Sequence, residues 1–305
     1  MQTPELNVVT GAFSYTGKYI TWRLLSMGKQ VRTITGSPDR QDPFNGQVSA
    51  FPFNFDNPKR LTESLRGATT LYNTYWVRFT HGKVTFDQAV ENTKRLIKAA
   101  EEAGIRRIVH ISITNASEES VFPYFRGKAL LEKAIANSKL SYAIVRPTVI
   151  FGPEGMLINN IAWLLRRFPV FAVFGSGEYR VQPVFVEDVA EIAVSASQKD
   201  DNIIIDAVGP DIYTFDELVR LIADKIHSKA RIVHVSPGLA LFLGKFIGYA
   251  VRDVVVTKDE MNGLMANLLI SQSPPTGQTR LSEWLERNAD SVGARYVSEI
   301  KRHYR

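Results

Sequence analysis

The stretch VVTGAFSYTGKYI, residues 8–20, has the pattern of a buried strand that breaks at a glycine turn and restarts as a helix. Gly11 permits the tight turn that leaves the strand, and Gly17 allows the helix to pack closely against it. The N–H groups at the start of such a helix point towards a bound pyrophosphate. An ordinary strand-to-helix turn has the same pattern, so the loop alone leaves dinucleotide binding and a purely structural turn open.

The composition predicts a globular protein, and its positive charge suits an anionic ligand, a nucleic acid or an anionic membrane. The 305 residues carry a net charge of +6 and are 45% hydrophobic, which suits one large domain or a domain with an appendage. The basic residues are mostly dispersed and no recognised nucleic-acid motif accompanies them, so we expect no nucleic-acid partner. The chain has no cysteine and its five histidines lack metal-ligand spacing, so we expect neither disulfides nor a metal site.

The sequence favours a cytoplasmic protein without a membrane span. The first residues, MQTPELNVVTG, enter the predicted first strand without a signal peptide, and the absence of cysteine suits a reducing compartment. The longest apolar segment, LALFLGKFIGYAV at residues 239–251, is too short to cross a bilayer and contains Lys245. We expect it to pack on the core, with peripheral contact to a membrane or a partner complex as the alternatives.

Strand-like and helix-like segments alternate through the first half of the chain. This predicts the α/β class with a doubly wound parallel Rossmann sheet, whose ligand lies over the carboxyl ends of the strands. The alternation fails after residue 152, which predicts a smaller, interleaved C-terminal substrate domain. We assign residues 1–151 and about 181–209 to the dinucleotide-binding domain, and about 152–180 and 210–305 to the smaller one. Residues 181–186 and 203–206 are predicted strands that return to the main sheet.

One tyrosine has a lysine four residues later: Tyr124 precedes Lys128 in YFRGKALLEKAI. This spacing places both side chains on one helical face. A lysine ammonium beside a phenol favours the phenolate, so the tyrosine can exchange a proton with a substrate hydroxyl or carbonyl. A chance pair on a solvated helix is the alternative.

Five segments occur in the order seen in extended and atypical short-chain dehydrogenase/reductases, the group that includes NAD-dependent epimerases and dehydratases. They are the glycine-bearing loop, HISITNAS (110–117), YFRGK (124–128), VRPTVIFGP (145–153) and VQPVFVEDVAEIAV (181–194). The chain resembles this family over nearly its whole length. Its end, VGARYVSEIKRHYR (292–305), is similar to the branch that contains the nucleotide-holding accessory subunit of respiratory complex I.

The resemblance implies a bound NAD(P) dinucleotide and assigns residues to it. Asn54 and Phe55 would contact the adenine, while Tyr124 and Lys128 would lie at the nicotinamide. The remaining cofactor contacts would come from the loop and from the end of the fourth strand, namely Gly11, Phe13, Ser14, Tyr15, Thr16, Gly17 and Asn73. Ser14 replaces the middle glycine of the family pattern and adds a hydroxyl near the phosphates.

Two departures from the family bear on catalysis. Catalytic members place a serine or threonine after the fifth strand to bond the reacting oxygen, but here Ile113 has that position. Ser112 and Thr114 flank it and are the candidates to serve instead. Tyr75 and Trp76 replace small residues, so they would narrow the substrate pocket or stack on a flat ligand, with core packing as the alternative.

The end of the second strand, RTITGSPDR at residues 32–40, favours NADP(H) over NAD(H). NAD binders place an acidic residue there to hold the ribose hydroxyls, whereas this chain has Gly36. Ser37 and Arg40 offer hydrogen bonds to a 2′-phosphate. Asp39 would serve NAD instead if it turned inward.

The sequence therefore leaves two functions open. One is an NAD(P)-dependent oxidoreductase or epimerase that acts on a small carbonyl or hydroxyl substrate, with Tyr124 as the proton donor. The other is a non-catalytic nucleotide-holding scaffold or redox sensor associated with a partner complex, which Ile113 favours. An enzyme should oxidise its cofactor with some carbonyl substrate, whereas a scaffold should retain it unchanged.

Overall fold

The computed structural model describes residues 5–303; residues 1–4, Tyr304 and Arg305 lie outside the described part. Its strands are β1 (Leu6–Thr10), β2 (Gln30–Thr35), β3 (Val48–Pro52), β4 (Thr70–Asn73), β5 (Arg107–Ile111), β6 (Ser141–Pro147), β7 (Val149–Phe151), β8 (Val170–Phe174), β9 (Arg180–Val181), β10 (Pro183–Phe185), β11 (Ile203–Ala207), β12 (Tyr213–Thr214) and β13 (Arg231–Val235). Its helices are α1 (Tyr15–Ser26), α2 (Pro58–Leu65), α3 (Phe86–Ala103), α4 (Pro123–Ala136), α5 (Met156–Arg167), α6 (Val186–Ser197), α7 (Phe215–Lys225), α8 (Pro237–Val251), α9 (Lys258–Met265), α10 (Leu281–Arg287) and α11 (Glu299–His303).

Seven of these strands form one sheet in the order β11-β6-β5-β4-β1-β2-β3. Strands β1 to β6 pair in parallel. In this order the connections reverse direction between β1 and β4, which is the topological switch point where such sheets bind ligands. The predicted doubly wound parallel α/β sheet is confirmed, and the glycine-bearing loop after β1 lies at its switch point.

The described chain divides into two compact units. One contains the chain up to Pro147 together with Val189–Asp206, and the other contains Thr148–Asp188 together with the chain from Ala207 onward. The first unit has its own apolar core between the sheet and α2, α3 and α4. The second has an apolar core that includes residues of α5, α7 and α10.

Residues 189–206 are tied to the first unit by a buried arginine. Arg107 in β5 is fully buried, and its Nε donates to the carbonyl of Ala196 at 3.2 Å. Its Nη1 donates to Ser141 Oγ at 2.8 Å and its Nη2 donates to the carbonyl of Asp201 at 2.9 Å. These bonds anchor the segment, whose strand β11 joins the main sheet as predicted.

The prediction that residues 181–186 return to the main sheet is wrong. In the structure β10 pairs in parallel with β7, and β9 pairs antiparallel with β12. Thr148 Oγ1 donates to the carbonyl of Gln182, and Gln182 Nε2 donates to the carbonyl of Gly209 at 2.9 Å. Because Gln182 is buried, these bonds satisfy its polar groups within the second unit.

The expectation that residues 239–251 pack on the core holds for only one side of the helix they form. Within α8, Gly244 and Gly248 are the buried residues, whereas Phe246 is 74% exposed and Tyr249 is 89% exposed. Among residues 5–303, no helix combines the length and the apolar character that a membrane span requires. Helix α8 therefore turns its small residues inward and its aromatic residues outward.

Candidate dinucleotide-binding site

The loop after β1 brings the backbone of α1 directly against that of Gly11. Gly17 is buried, and a Cβ at this position would lie 2.9 Å from the carbonyl carbon of Gly11 and 3.1 Å from the carbonyl oxygen of Thr10. Gly11 has a φ of +63°, which favours glycine. The two glycines therefore allow the close packing of helix on strand that a dinucleotide-binding loop requires.

Ser14 begins α1 without capping it. Its hydroxyl donates to the carbonyl of Gly11 at 2.7 Å instead of accepting from the helix, and the first turn contains no acidic residue. The positive end of the helix dipole is thus left without a protein carboxylate, so this terminus suits a phosphate. The other predicted loop contacts, Phe13, Tyr15 and Thr16, are half-buried.

A buried hydrogen-bond relay joins the carboxyl ends of β1, β4 and β5. Thr10 Oγ1 accepts the backbone N–H groups of Thr74 at 2.7 Å and Tyr75 at 3.0 Å, and it lies 3.3 Å from Asn73 Oδ1. Asn73 Nδ2 lies 3.0 Å from His110 Nδ1. Asn73, predicted to contact the cofactor, is fully buried, and its amide orders the strand ends below the loop.

Three aromatic rings meet where β3 and β4 end. Phe53 stacks on Phe55 with centroids 4.7 Å apart, and the ring of Tyr75 lies 4.9 Å from Phe53 and 5.2 Å from Phe55. Asn54 has a φ of +48°, and its side-chain amide donates to the carbonyl of Pro52 at 3.2 Å. The structure thus brings the predicted adenine contact Phe55 together with Tyr75. Sequence reasoning missed Phe53, although the alternation FPFNF places it on the same side as Phe55.

The residues predicted to recognise a 2′-phosphate lie beside the glycine-bearing loop. Arg40 Nη1 donates to the carbonyl of Phe13 at 3.4 Å, and the backbone N–H of Arg40 donates to the carbonyl of Ser37 at 3.2 Å. Asp39, the alternative partner for an NAD ribose, is exposed. Arg40 is therefore directed towards the glycine-bearing loop, and the side chain of Asp39 is turned to solvent.

Lys128 is buried against Trp76. Lys128 is only 3% exposed, and its Nζ donates to the carbonyl of Ile111 at 2.7 Å. Nζ also lies 4.8 Å from the centroid of the Trp76 ring, whose edge-on contact with Tyr124 has a centroid distance of 5.8 Å. A Cβ at Gly127 would lie 2.6 Å from this indole. Trp76 therefore packs on the backbone of α4, between the two residues predicted for proton transfer.

The hydroxyl of Ser112 is committed to a buried ion pair. Ser112 Oγ donates to Glu132 at 2.5 Å, and the same carboxylate accepts from Arg146 Nε at 2.9 Å and from Arg146 Nη2. Thr114 is also buried, and its backbone N–H donates to the carbonyl of Pro147 at 3.0 Å. Sequence reasoning missed Glu132, which the helical spacing of four residues from Lys128 could have indicated.

Burial also perturbs the titration of the site. It lowers the pKa of Lys128 to about 7, against an opposing effect of Glu132. Burial and the charge of Lys128 hold the pKa of His110 well below its usual range. Within the described residues, His110 Nε2 and Trp76 Nε1 are buried without a hydrogen-bond partner. The buried surroundings of Lys128 and His110 thus favour the neutral forms of these two side chains over their charged forms.

Lys128→Met should change the pH dependence of stability. Folding lowers the pKa of Lys128 from 10.5 to about 7, so in this window the unfolded chain binds more protons than the folded one. The contribution of Lys128 to the free energy of unfolding is therefore fully present above about pH 10.5 and lost as the pH falls to about 7. We expect the stability of the variant, relative to the wild type, to fall as the pH rises from about 7 to 10 in urea titrations. Lys133→Met, at an exposed position of the same helix, is the control, and a difference independent of pH would contradict the burial of Lys128.

Comparisons with known proteins find a nucleotide-binding family and a curated relative. Residues 11–155 match the model of a family described as NAD(P)H-binding. The chain is 27% identical over 290 residues to NADH dehydrogenase (ubiquinone) 1 alpha subcomplex subunit 9, mitochondrial, of Arabidopsis thaliana, and the match covers 87% of this chain and 71% of that protein.

Two solved structures share the fold. An NADPH-dependent quinone oxidoreductase from Escherichia coli, complexed with NADPH, superposes with a TM-score of 0.74 at 19% identity, over 92% of this chain and 99% of that chain. A nucleoside-diphosphate-sugar epimerase from Staphylococcus aureus superposes with a TM-score of 0.70 at 15% identity, again over 92% of this chain and 99% of that one. Residues 11–155 thus match a family described as NAD(P)H-binding, and the chain has the same fold as this epimerase and this oxidoreductase.

Proposed function

We propose that this protein holds a nicotinamide dinucleotide without reacting with it. The observation that carries the proposal is that the two side chains expected to assist Tyr124, Ser112 and Lys128, are engaged elsewhere. Ser112 bonds the Glu132 carboxylate, and Lys128 bonds the Ile111 carbonyl beneath Trp76. The loop with Gly11 and Gly17, by contrast, keeps a backbone cradle for the pyrophosphate.

A nicotinamide cofactor supplies hydride chemistry when bound, and the protein must then provide the proton. Tyr124 is the candidate donor, and it depends on a nearby cation to lower the pKa of its phenol. Lys128, whose pKa burial lowers to about 7, supplies only part of a positive charge at neutral pH. Ile113 offers no hydroxyl to a reacting oxygen. The chain's own residues therefore favour binding over turnover.

The relatives support a role within a larger assembly. The Arabidopsis relative is named as a subunit of NADH dehydrogenase. For this chain we accordingly propose that the bound nucleotide either stabilises the first unit or reports the redox state of the cofactor pool. The protein itself would be part of a partner complex.

The second candidate is an oxidoreductase or epimerase for a small carbonyl or hydroxyl substrate. Tyr124 and Lys128 are one helical turn apart and both contact Trp76, so both lie on the same side of α4. The quinone oxidoreductase that shares the fold is an enzyme by its name.

A turnover test separates the two candidates. The wild type and Tyr124→Phe should both leave NADPH reduced in the presence of quinones, aldehydes and ketones, as measured by the absorbance of the reduced nicotinamide. Both should bind NADPH with the same affinity, because binding uses the loop rather than the phenol. Oxidation by the wild type that Tyr124→Phe slows by about 100-fold would establish the enzyme instead.

Gly17→Ala should weaken dinucleotide binding by at least about tenfold, because its Cβ would push α1 away from Gly11. Titration with NADPH, followed by the fluorescence of the reduced nicotinamide, measures the affinity. Gly238→Ala is the matched control, since a Cβ there meets nothing within 4 Å. Unchanged affinity in a folded Gly17→Ala protein would remove the loop from the binding site.

We also propose that NADP(H) is preferred over NAD(H). The support is the direction of Arg40 towards the loop and the exposed position of Asp39. A guanidinium next to a 2′-phosphate contributes charge-assisted hydrogen bonds, which Ser37 would supplement.

Arg40→Ala should erase most of the preference for the phosphorylated cofactor. Charge-assisted bonds contribute roughly 1.5–3 kcal/mol, so the wild type should bind NADPH at least about tenfold more tightly than NADH. Calorimetric titration of both cofactors in one buffer measures this ratio for the wild type and the variant. Equal or tighter binding of NADH by the wild type would show that the second strand end holds ribose hydroxyls.

A further inference from the structure

Helix α8 has an orientation that is unusual for a surface helix. Its buried residues are glycines, and a Cβ at Gly248 would lie 2.6 Å from the carbonyl oxygen of Asp253, while one at Gly244 would lie 3.2 Å from Val256. These two glycines allow the helix to lie flat on the chain that follows it. Leu241 and Ile247 are half-buried, and Leu241 packs against the core of the second unit. The remaining large apolar residues of the helix lie on its outer side.

The outer side is a continuous apolar stripe. Its large residues, with exposed fractions from 37% to 89%, are Leu239, Phe242, Leu243, Phe246 and Tyr249. At 100° per residue they span an arc of about 120° and run for about 15 Å along the helix. Single exposed apolar residues are common on soluble proteins, but a contiguous stripe with three aromatic rings marks a contact surface.

The exposed charges on α8 and at its C-cap have one sign. Lys245 is exposed and lies about 40° beyond Tyr249 on the helical wheel, and Arg252 follows the helix at its C-cap, also exposed. Residues 225–252 contain five lysines and arginines and no aspartate or glutamate. Asp253, the first acidic residue after α8, is buried and accepts the backbone N–H groups of Glu299 at 2.8 Å and Ile300 at 3.2 Å. The exposed charges of the helix and its C-cap are therefore positive.

We propose that α8 binds the surface of a membrane that contains anionic lipids, lying parallel to it. Phe242 and Phe246 enter the boundary between headgroups and acyl chains, and Tyr249 places its hydroxyl at the level of the headgroups. Lys245 and Arg252 contact lipid phosphates. Exposed basic residues beside the stripe favour a lipid surface, because lysine and arginine are enriched on the polar side of interfacial helices.

Vesicle flotation with the full-length protein tests the proposal. The wild type should float with vesicles of phosphatidylcholine and phosphatidylglycerol in equal parts, and at least about tenfold less with phosphatidylcholine alone. Phe242→Ser/Phe246→Ser should lower binding to the mixed vesicles by at least about tenfold, because both rings leave water on binding. Lys245→Glu should lower binding to the mixed vesicles and leave the weak binding to phosphatidylcholine unchanged.

Ile212→Ser is the control, since it removes an exposed apolar side chain of the second unit outside α8. Circular dichroism should show the same melting temperature for all variants, because the substituted side chains are exposed. Failure of the wild type to float, or equal flotation of the double variant, would overturn the proposal. Concentration-dependent self-association that the double variant abolishes, without flotation of the wild type, would identify the stripe as an interface between copies and would also overturn it.

Discussion

The site depends on a buried relay of polar side chains across three neighbouring strands. The relay consists of Thr10, Asn73 and His110, which lie at or near the carboxyl ends of three different strands. Their hydrogen bonds hold these strand ends in position relative to one another. Each bond contributes only about 1 kcal/mol, but an unpaired amide at the buried Asn73 would cost about 1–3 kcal/mol. The relay therefore acts mainly through the penalty for breaking it. The chain after β4 is held against β1 because Thr10 accepts two backbone N–H groups at once.

The same region explains why a binding site and a catalytic site are separable in this fold. The proposed pyrophosphate binding uses backbone groups of the loop, whose conformation depends on Gly11 and Gly17. Proton transfer needs side chains whose polar groups can reach the substrate. Here Ser112 donates to Glu132, and Lys128 donates to the carbonyl of Ile111. A chain can therefore lose the second capacity while it keeps the first.

The sequence predicts the sheet and the loop well, because both follow from local periodicity and from glycines at fixed offsets. It predicts the surroundings of the polar residues poorly, since Asn73 meets His110 across 37 residues and Ser112 meets Glu132 across 20. Periodicity also shows which residues of α8 share a face, but not which face is buried. That choice depends on how closely Gly248 must approach the chain at Asp253, which only the folded structure reveals.

Arg107 has a consequence for the order in which the chain can fold. Its guanidinium is buried by carbonyls at Ala196 and Asp201, about ninety residues further along the chain. Until those residues leave the ribosome, a nascent first unit has an uncovered charge at the base of β5 and an unpaired edge at β6. The first segment of the second unit, Thr148–Asp188, is synthesised in that interval. The first unit therefore closes late during translation, through contacts of high sequence separation, and until then its edge at β6 is open to mispairing.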